Sequence, residues 1–237
     1  RAGVLVAHFD HGLRPDSTED ARFVQAEAGR LALSCQVGGW KEAGRTVGGD
    51  LAERAREARY RFLLACAQEW GATRVVTGHH RDDQAETFLE RLLRGSGVHG
   101  LSAIPASRPL ANEIFLVRPL LAFSRAEIRA WLNTAGLTWR EDASNRLLTA
   151  RRNRIRHTGL PALQTIADPG LAQRLAATAE RMAQADATLD WMFARLWPEW
   201  DPQEATGGLS FSAEALQDLP DEMVCRCLHR CHQQLHG

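Results

Sequence analysis

The chain has 237 residues, with 29 basic and 29 acidic side chains and a formal net charge of +0. Taken whole, that balance argues against a general nucleic-acid or polybasic membrane binder, which carries a basic excess. Hydrophobic residues at 44% and charged residues at 24% exclude a disordered chain, and no apolar run approaches the ~20 residues of a membrane helix. Five cysteines without framework spacing point to reduced thiols and a cytoplasmic setting. The length allows one large domain, or one domain and a smaller one. Nothing resembles a signal peptide; Arg1 leads almost at once into an apolar strand, so a segment upstream is expected.

In chain order, Val4 to Phe9 reads as a buried strand closing on Asp10-His11-Gly12. Asp16 to Asp20 offers caps and acids for a helix carrying Phe23, Ala26 and Leu31. Ser34 to Val37 is a short strand and Trp40 to Asp50 a glycine-rich loop. Leu51 to Trp70 is a periodic helix stopped by Gly71. Arg74 to Gly78 is a strand, His79 to Leu93 a helix, and Ile114 to Val117 another strand. Ser124 caps a helix through Ala135 that Gly136 ends. Strands alternating with helices imply an α/β fold with a parallel sheet. After Pro161 the strand signal ends; Leu171 to Trp197 is a long amphipathic helix and Ala213 to Leu235 one or two more. The expected division is an α/β domain over 1–160 and a smaller helical domain over 161–237. The first carries six more basic than acidic side chains and the second six fewer, so the zero total is a cancellation.

Four segments carry candidate chemistry. His79-His80-Arg81-Asp82-Asp83-Gln84-Ala85-Glu86 stands where a strand gives way to a helix, the place where open α/β sheets put ligands. Asp82 and Glu86 are four apart and Asp83 and Glu86 three apart, so the carboxylates share a face suited to Mg²⁺ or an ammonium group. The plainer alternative is acids stabilising a helix N-terminus. Gly95, Ser96 and Gly97, after Arg94, can form a phosphate nest or a simple helix cap and turn. Arg56 and Arg59, beside Tyr60, share one side of a helix and suit phosphate or carboxylate, or else a solvated face paired with Glu53 and Glu57. Residues 140–157 hold six arginines against two acids, and Arg154, Arg156 and His157 suit a phosphate backbone; a charged surface helix is the alternative. Cys225, Cys227 and Cys231 match no standard zinc spacing, and Cys227 with Cys231 fits an apolar face with Leu228 and Leu235. Trp191, Phe193, Trp197 and Trp200 read as helix packing.

The order of these motifs decides more than any one of them. HFDHGLR, AREARY, TGHHRDDQAETFLERLLRGSGVHGLSAI, RPLL, EDASN and RRNRIRH with Pro161 together resemble the tRNA(Ile)-lysidine synthetase family of PP-loop ATP pyrophosphatases, over about residues 4–163. The resemblance implies a Rossmann-like adenine-nucleotide-binding domain and ATP-dependent joining of lysine to the wobble cytidine of the isoleucine tRNA with a CAU anticodon. The cytidine O2 would attack the α-phosphorus of ATP, releasing pyrophosphate, and the lysine ε-amine would then attack C2 and expel AMP. Asp83 and Glu86 resemble the carboxylates that hold the substrate lysine, with His80 and Asp82 at the same mouth. Arg56 and Arg152 resemble arginines facing ATP phosphates or the lysine carboxylate, with Arg59 and the Gly95–Ser96–Gly97 turn on the same side. Arg154, Arg156 and His157 are assigned to tRNA. The implied partners are that tRNA, L-lysine, ATP with Mg²⁺ on its phosphates and a homodimeric second copy, with no membrane. The family's SGGxDS loop would fall upstream of Val4, so the chain as written is expected not to form the adenylate. Residues 146–150 also lack the acid and aromatic usual between EDxSN and RN. A non-catalytic tRNA-binding remnant and a related PP-loop tRNA thiolase are the competing expectations.

Overall fold

The computed structural model describes residues 3–12, 16–40, 51–141, 151–200, 203–205, 208–210, 212 and 214–236. The expected loop after Trp40 and the EDASN motif beyond Glu141 lie outside the described residues. Contacts gather the chain into two units, residues 1–81 with 105–147, and residues 82–104 with 148–237.

In the first unit, β1 (Leu5–Asp10) and β2 (Ser34–Gly39) pair in parallel, joined by α1 (Ser17–Arg30). Helix α1 buries Ala21 and Ala28. Gly38 lets β2 approach α2 (Leu51–Trp70) closely: a Cβ there would stand 2.4 Å from the Phe62 ring. Gly71 leaves α2 at φ +68, the left-handed turn that glycine adopts without strain. A second sheet has the order β3-β5-β4, with β3 (Arg74–Val76) parallel to β5 (Ile114–Val117) and β4 (Ser107–Ala111) antiparallel on the edge. Tyr60, Leu63, Leu64 and Ala67 of α2 pack on Val75, Ile114 and Leu116. Helix α5 (Arg125–Thr134) starts at a capping box: Ser124 Oγ accepts from the Glu127 amide at 3.2 Å, and the Glu127 carboxylate accepts from the Ser124 amide at 2.7 Å.

The parallel α/β pattern is therefore present, with one strand the sequence concealed. Pro109 interrupts β4, and proline within a run argues for a non-strand or an edge. Here it occupies the edge, beside a register shift between Pro109 and Ala111.

The second unit is mainly helical. It holds α3 (Arg81–Leu92) from Asp82 onward, α4 (Val98–Leu101), α6 (Arg151–Arg154), a π-helical turn over Ile155–Gly159, α7 (Leu160–Ile166), α8 (Leu171–Leu196), α9 (Glu214–Gln217) and α10 (Asp221–His236). A two-stranded antiparallel ribbon, β6 (Gln203–Ala205) and β7 (Gly208–Ser210), corrects the expectation that strands end at Pro161. Strands of three residues are too short to show a period of two. Pro161 does not end its helix either. It lacks an amide to reach residue 157, and the wide turn before it accommodates that loss.

Two cores hold this unit: Phe88, Ala103 and Ala179 in one, Phe193, Met223 and Cys227 in the other. Trp197 and Trp200 pack on Phe193 as expected, but Trp191 is exposed, with Arg195 4.9 Å above its ring. Cys227 is fully buried with Cys231 against it, and burial pushes its thiol up to about 11. Leu228, placed on the same face in the sequence reading, is exposed instead.

Candidate functional site

Helix α3 is polar in sequence yet buried on one side. Asp83, Gln84 and Glu86 lie inside with Ala85, Phe88 and Leu89, and Glu86 is only 2% exposed. Acids that merely complemented a helix dipole would face solvent. These instead meet two arginines delivered by the helix that begins at Arg151. Arg152 donates from Nε to Glu86 at 2.9 Å and from NH2 to Asp83 at 2.7 Å. Arg156 donates from Nε and NH2 to the two oxygens of Glu86 at 2.6 and 2.9 Å, and its NH2 stands 3.5 Å from Asp83.

The spacings explain the assembly. Asp83 and Glu86 share a face at a separation of three, and Arg152 and Arg156 at a separation of four. Burial alone would pull the Arg156 guanidinium down, but its hydrogen bonds to Glu86 and the charges of Glu86, Asp83 and Asp82 raise it. Two carboxylates and two guanidiniums are thus held ready in a largely dry place, where losing one partner strands the others at about 3–5 kcal/mol. Arg152 is the more exposed arginine of the two.

Arg156, grouped with Arg154 and His157 in the sequence reading, is therefore gathered with the carboxylates. Arg154 and His157 remain exposed. The glycine turn is occupied by its own helix: the Gly95 amide donates to Leu92 and the Ser96 amide to Arg91, with Gly95 at φ +74. That is the cap-and-turn alternative, and it leaves these two amides no role in an open nest. His80 is half-buried, one residue beyond His79, whose Nδ1 lies 3.0 Å from Thr77 Oγ1.

In the first unit the carboxyl end of β5 carries a concentration of positive charge that sequence reasoning missed in part. Arg118, the residue after β5, is 4% exposed; its NH1 donates to the Pro105 carbonyl at 2.6 Å, and its Nε lacks a partner among the described residues. Burial lowers its pKa, as do the charges of Arg108 and Arg56, against a partial opposing effect of Tyr60. The Tyr60 ring has the guanidinium carbons of Arg56, Arg59 and Arg108 at 5.2, 5.4 and 5.3 Å. Burial would raise the Tyr60 phenol, yet Arg56, Arg118 and Arg59 bring it below its ordinary value. A cavity of about 360 Å³ lies here, lined by Glu53, Arg56, Tyr60, Arg61, Arg108 and Leu110 among others. Among the described residues no carboxylate pairs with Arg56, Arg59, Arg108 or Arg118. Such a set suits an anion of phosphate or carboxylate type.

Among the described residues no three His, Cys, Asp or Glu side chains gather as a metal centre would, and no helix is long and apolar enough to cross a membrane. Burial raises the pKa of both Cys35 and Cys66, the reverse of what an activated thiol needs.

Residues 1–163 match the family model described as a PP-loop domain. The tRNA(Ile)-lysidine synthase of Novosphingobium aromaticivorans is 38% identical over 98% of this chain and 68% of its own length. The chain belongs to the tRNA(Ile)-lysidine synthase family. Relatives of the same name from Bradyrhizobium diazoefficiens and Geobacter sulfurreducens are 40% and 44% identical, over 96% and 93% of the chain. The chain spans 63% and 46% of their lengths, so it represents about half to two thirds of such a family member. Among solved structures, the U34-tRNA thiolase NcsA from Methanococcus maripaludis with its [4Fe-4S] cluster matches with a TM-score of 0.63 over 77% of this chain and 62% of that one. At 13% identity this likeness concerns the PP-loop fold alone.

Proposed function

We propose that the chain carries the catalytic part of a tRNA(Ile)-lysidine synthase, with residues 1–160 as its PP-loop domain and 161–237 as a helical domain, working in the cytoplasm. The observation that carries this reading is the buried Asp83–Glu86 pair facing Arg152 and Arg156, in a chain of this family. Free lysine brings two ammonium groups and one carboxylate. An ammonium can replace a guanidinium on Asp83 and Glu86 while the displaced, more exposed Arg152 turns to an anionic group of the substrates. Arg156 stays as the buried counter-charge of Glu86.

The anion-suited set of Arg56, Arg59, Arg108 and Arg118 supports binding of ATP phosphates, whose Mg²⁺ would travel with the nucleotide. The wobble cytidine O2 attacks the α-phosphorus and pyrophosphate leaves. The lysine ε-amine attacks C2, AMP leaves, and the amine gives up its proton. Both steps are served by placement and charge neutralisation more than by a protein nucleophile. Arg154 and His157, exposed on the arginine helix, are offered to the tRNA backbone.

The test is a lysine-incorporation assay with the gene product that contains this chain. AMP and pyrophosphate should form only when ATP, lysine and the CAU-anticodon isoleucine tRNA are all present, and labelled lysine should enter the tRNA. Binding of tRNA without AMP formation would leave only the remnant reading; sulfur transfer without lysine uptake would favour a thiolase, which the raised Cys35 and Cys66 thiols disfavour.

A further inference from the structure

Helix α8 buries a carboxylate that the proposed lysine site does not use. Asp186 is 7% exposed and has both oxygens engaged: Oδ2 lies 2.8 Å from His99 Nδ1, and Oδ1 accepts from Arg226 on α10. Arg226, equally buried at its side chain, also pairs with Asp190 and, at 2.8 Å, with Glu222. Three carboxylates around one guanidinium leave negative charge to spare, which favours an N–H donor at Nδ1 of His99. Burial would raise the Asp186 carboxyl, but hydrogen bonds from Arg226 and His99 and both their charges hold it below the usual range. Asp186 is therefore a fixed, ionised acceptor at neutral pH.

The imidazole itself is 84% exposed at its side chain, so it has little packing to contribute. What His99 supplies is the bond. The segment around it is tied on its other side to α3. Arg91 donates to the carbonyls of Gly100 and Ala103 at 2.7 and 2.9 Å. The Gln84 amide bonds the backbone of Ile104 in both directions, at 3.1 and 2.8 Å. Gln84 is the neighbour of Asp83 in the chain, so the segment is fastened beside the carboxylates.

We propose that His99 is a positioning residue: through Asp186 and Arg226 it fixes residues 97–104, and through Gln84 the first turn of α3, against α8 and α10. The proposal rests on the reading of α3 as the lysine-binding helix. It concerns residues that the family resemblance did not single out, since His99 entered only as part of the glycine-rich string and Asp186 and Arg226 entered nowhere.

Hydrogen–deuterium exchange on the gene product tests it without requiring activity. His99→Ala should speed exchange in peptides spanning 97–104 and the start of α3 by roughly tenfold, as loss of a hydrogen bond to a charged group implies. Peptides of α10 should stay unchanged. His99→Asn, whose side-chain amide can donate from a similar position, should restore most of the protection. In the lysine assay His99→Ala should raise KM for lysine severalfold with kcat nearly unchanged. Exchange within twofold of wild type, equal loosening of α10, or His99→Asn behaving like His99→Ala would each overturn the proposal. A wild-type protein inert toward lysine would instead overturn the ligase reading, and the exchange data would still decide the clamp.

Discussion

Glu86 is the residue on which the second unit's charges converge. Glu86→Gln keeps the side chain's shape but leaves Arg152 and Arg156 facing a neutral amide. We expect destabilisation of about 3 kcal/mol in urea unfolding, and lysine transfer reduced by about 100-fold or more because the substrate amine loses its placement. Filter binding of tRNA should change little. Arg118 makes the opposite case, a buried cation with no carboxylate beside it. Arg118→Met should leave the free protein as stable as before, or more so, since an uncompensated buried charge is costly. It should erase the rise in Tm that inorganic pyrophosphate gives the wild type; at 100 times Kd that stabilisation is about 2.7 kcal/mol. A persisting rise would place the anion elsewhere. Asp186 gives a pH signature. Its folded-state pKa is depressed, so its stabilisation is present above the unfolded value, about pH 4, and is lost as pH falls through the lowered one. The stability gap between wild type and Asp186→Asn should therefore be widest near neutrality and close in acid.

At the scale of elements, legibility followed how local the signal was. Helices α2, α5 and α8 were readable because periodicity, the Ser124 cap and the Gly71 and Gly136 stops lie within the segments they define. Strand β4 was hidden by Pro109, and the ribbon of β6 and β7 by its brevity. The candidate site divided in the same way. That Asp83 and Glu86 share a face, and Arg152 and Arg156 another, follows from spacing; that the two faces meet, across 66 to 73 residues, does not. Nor does a sequence reveal that Arg118 lacks a counter-charge, because that is a property of its surroundings. The contact between β2 and α2 offers a test at this level. Gly38→Ala should destabilise by about 1–3 kcal/mol in thermal unfolding, since the added carbon meets the face of Phe62.

For the whole molecule the zero net charge conceals opposite halves, with residues 1–160 basic and residues 161–237 acidic. Binding of tRNA should therefore weaken steeply with salt despite the neutral total, because counterion release depends on local cations and not on the sum. Arg154→Ala should lower the slope of log K against log salt by about one, the share of a single phosphate contact. Glu86→Gln should leave that slope unchanged, which separates RNA binding from chemistry in one titration series.

The π-helical turn at Ile155–Gly159 gives the arginine helix two independent phases. Upstream of it, Arg152 and Arg156 hold the angle that meets Glu86. Downstream, residues 160–166 are rotated by about 100° from where an unbroken α-helix would carry them, one residue's worth of turn. The aim of the arginines is thus separated from that of the segment that follows, and the sequence after Gly159 is free to drift, or to gain and lose a residue, while the charge cluster keeps its alignment.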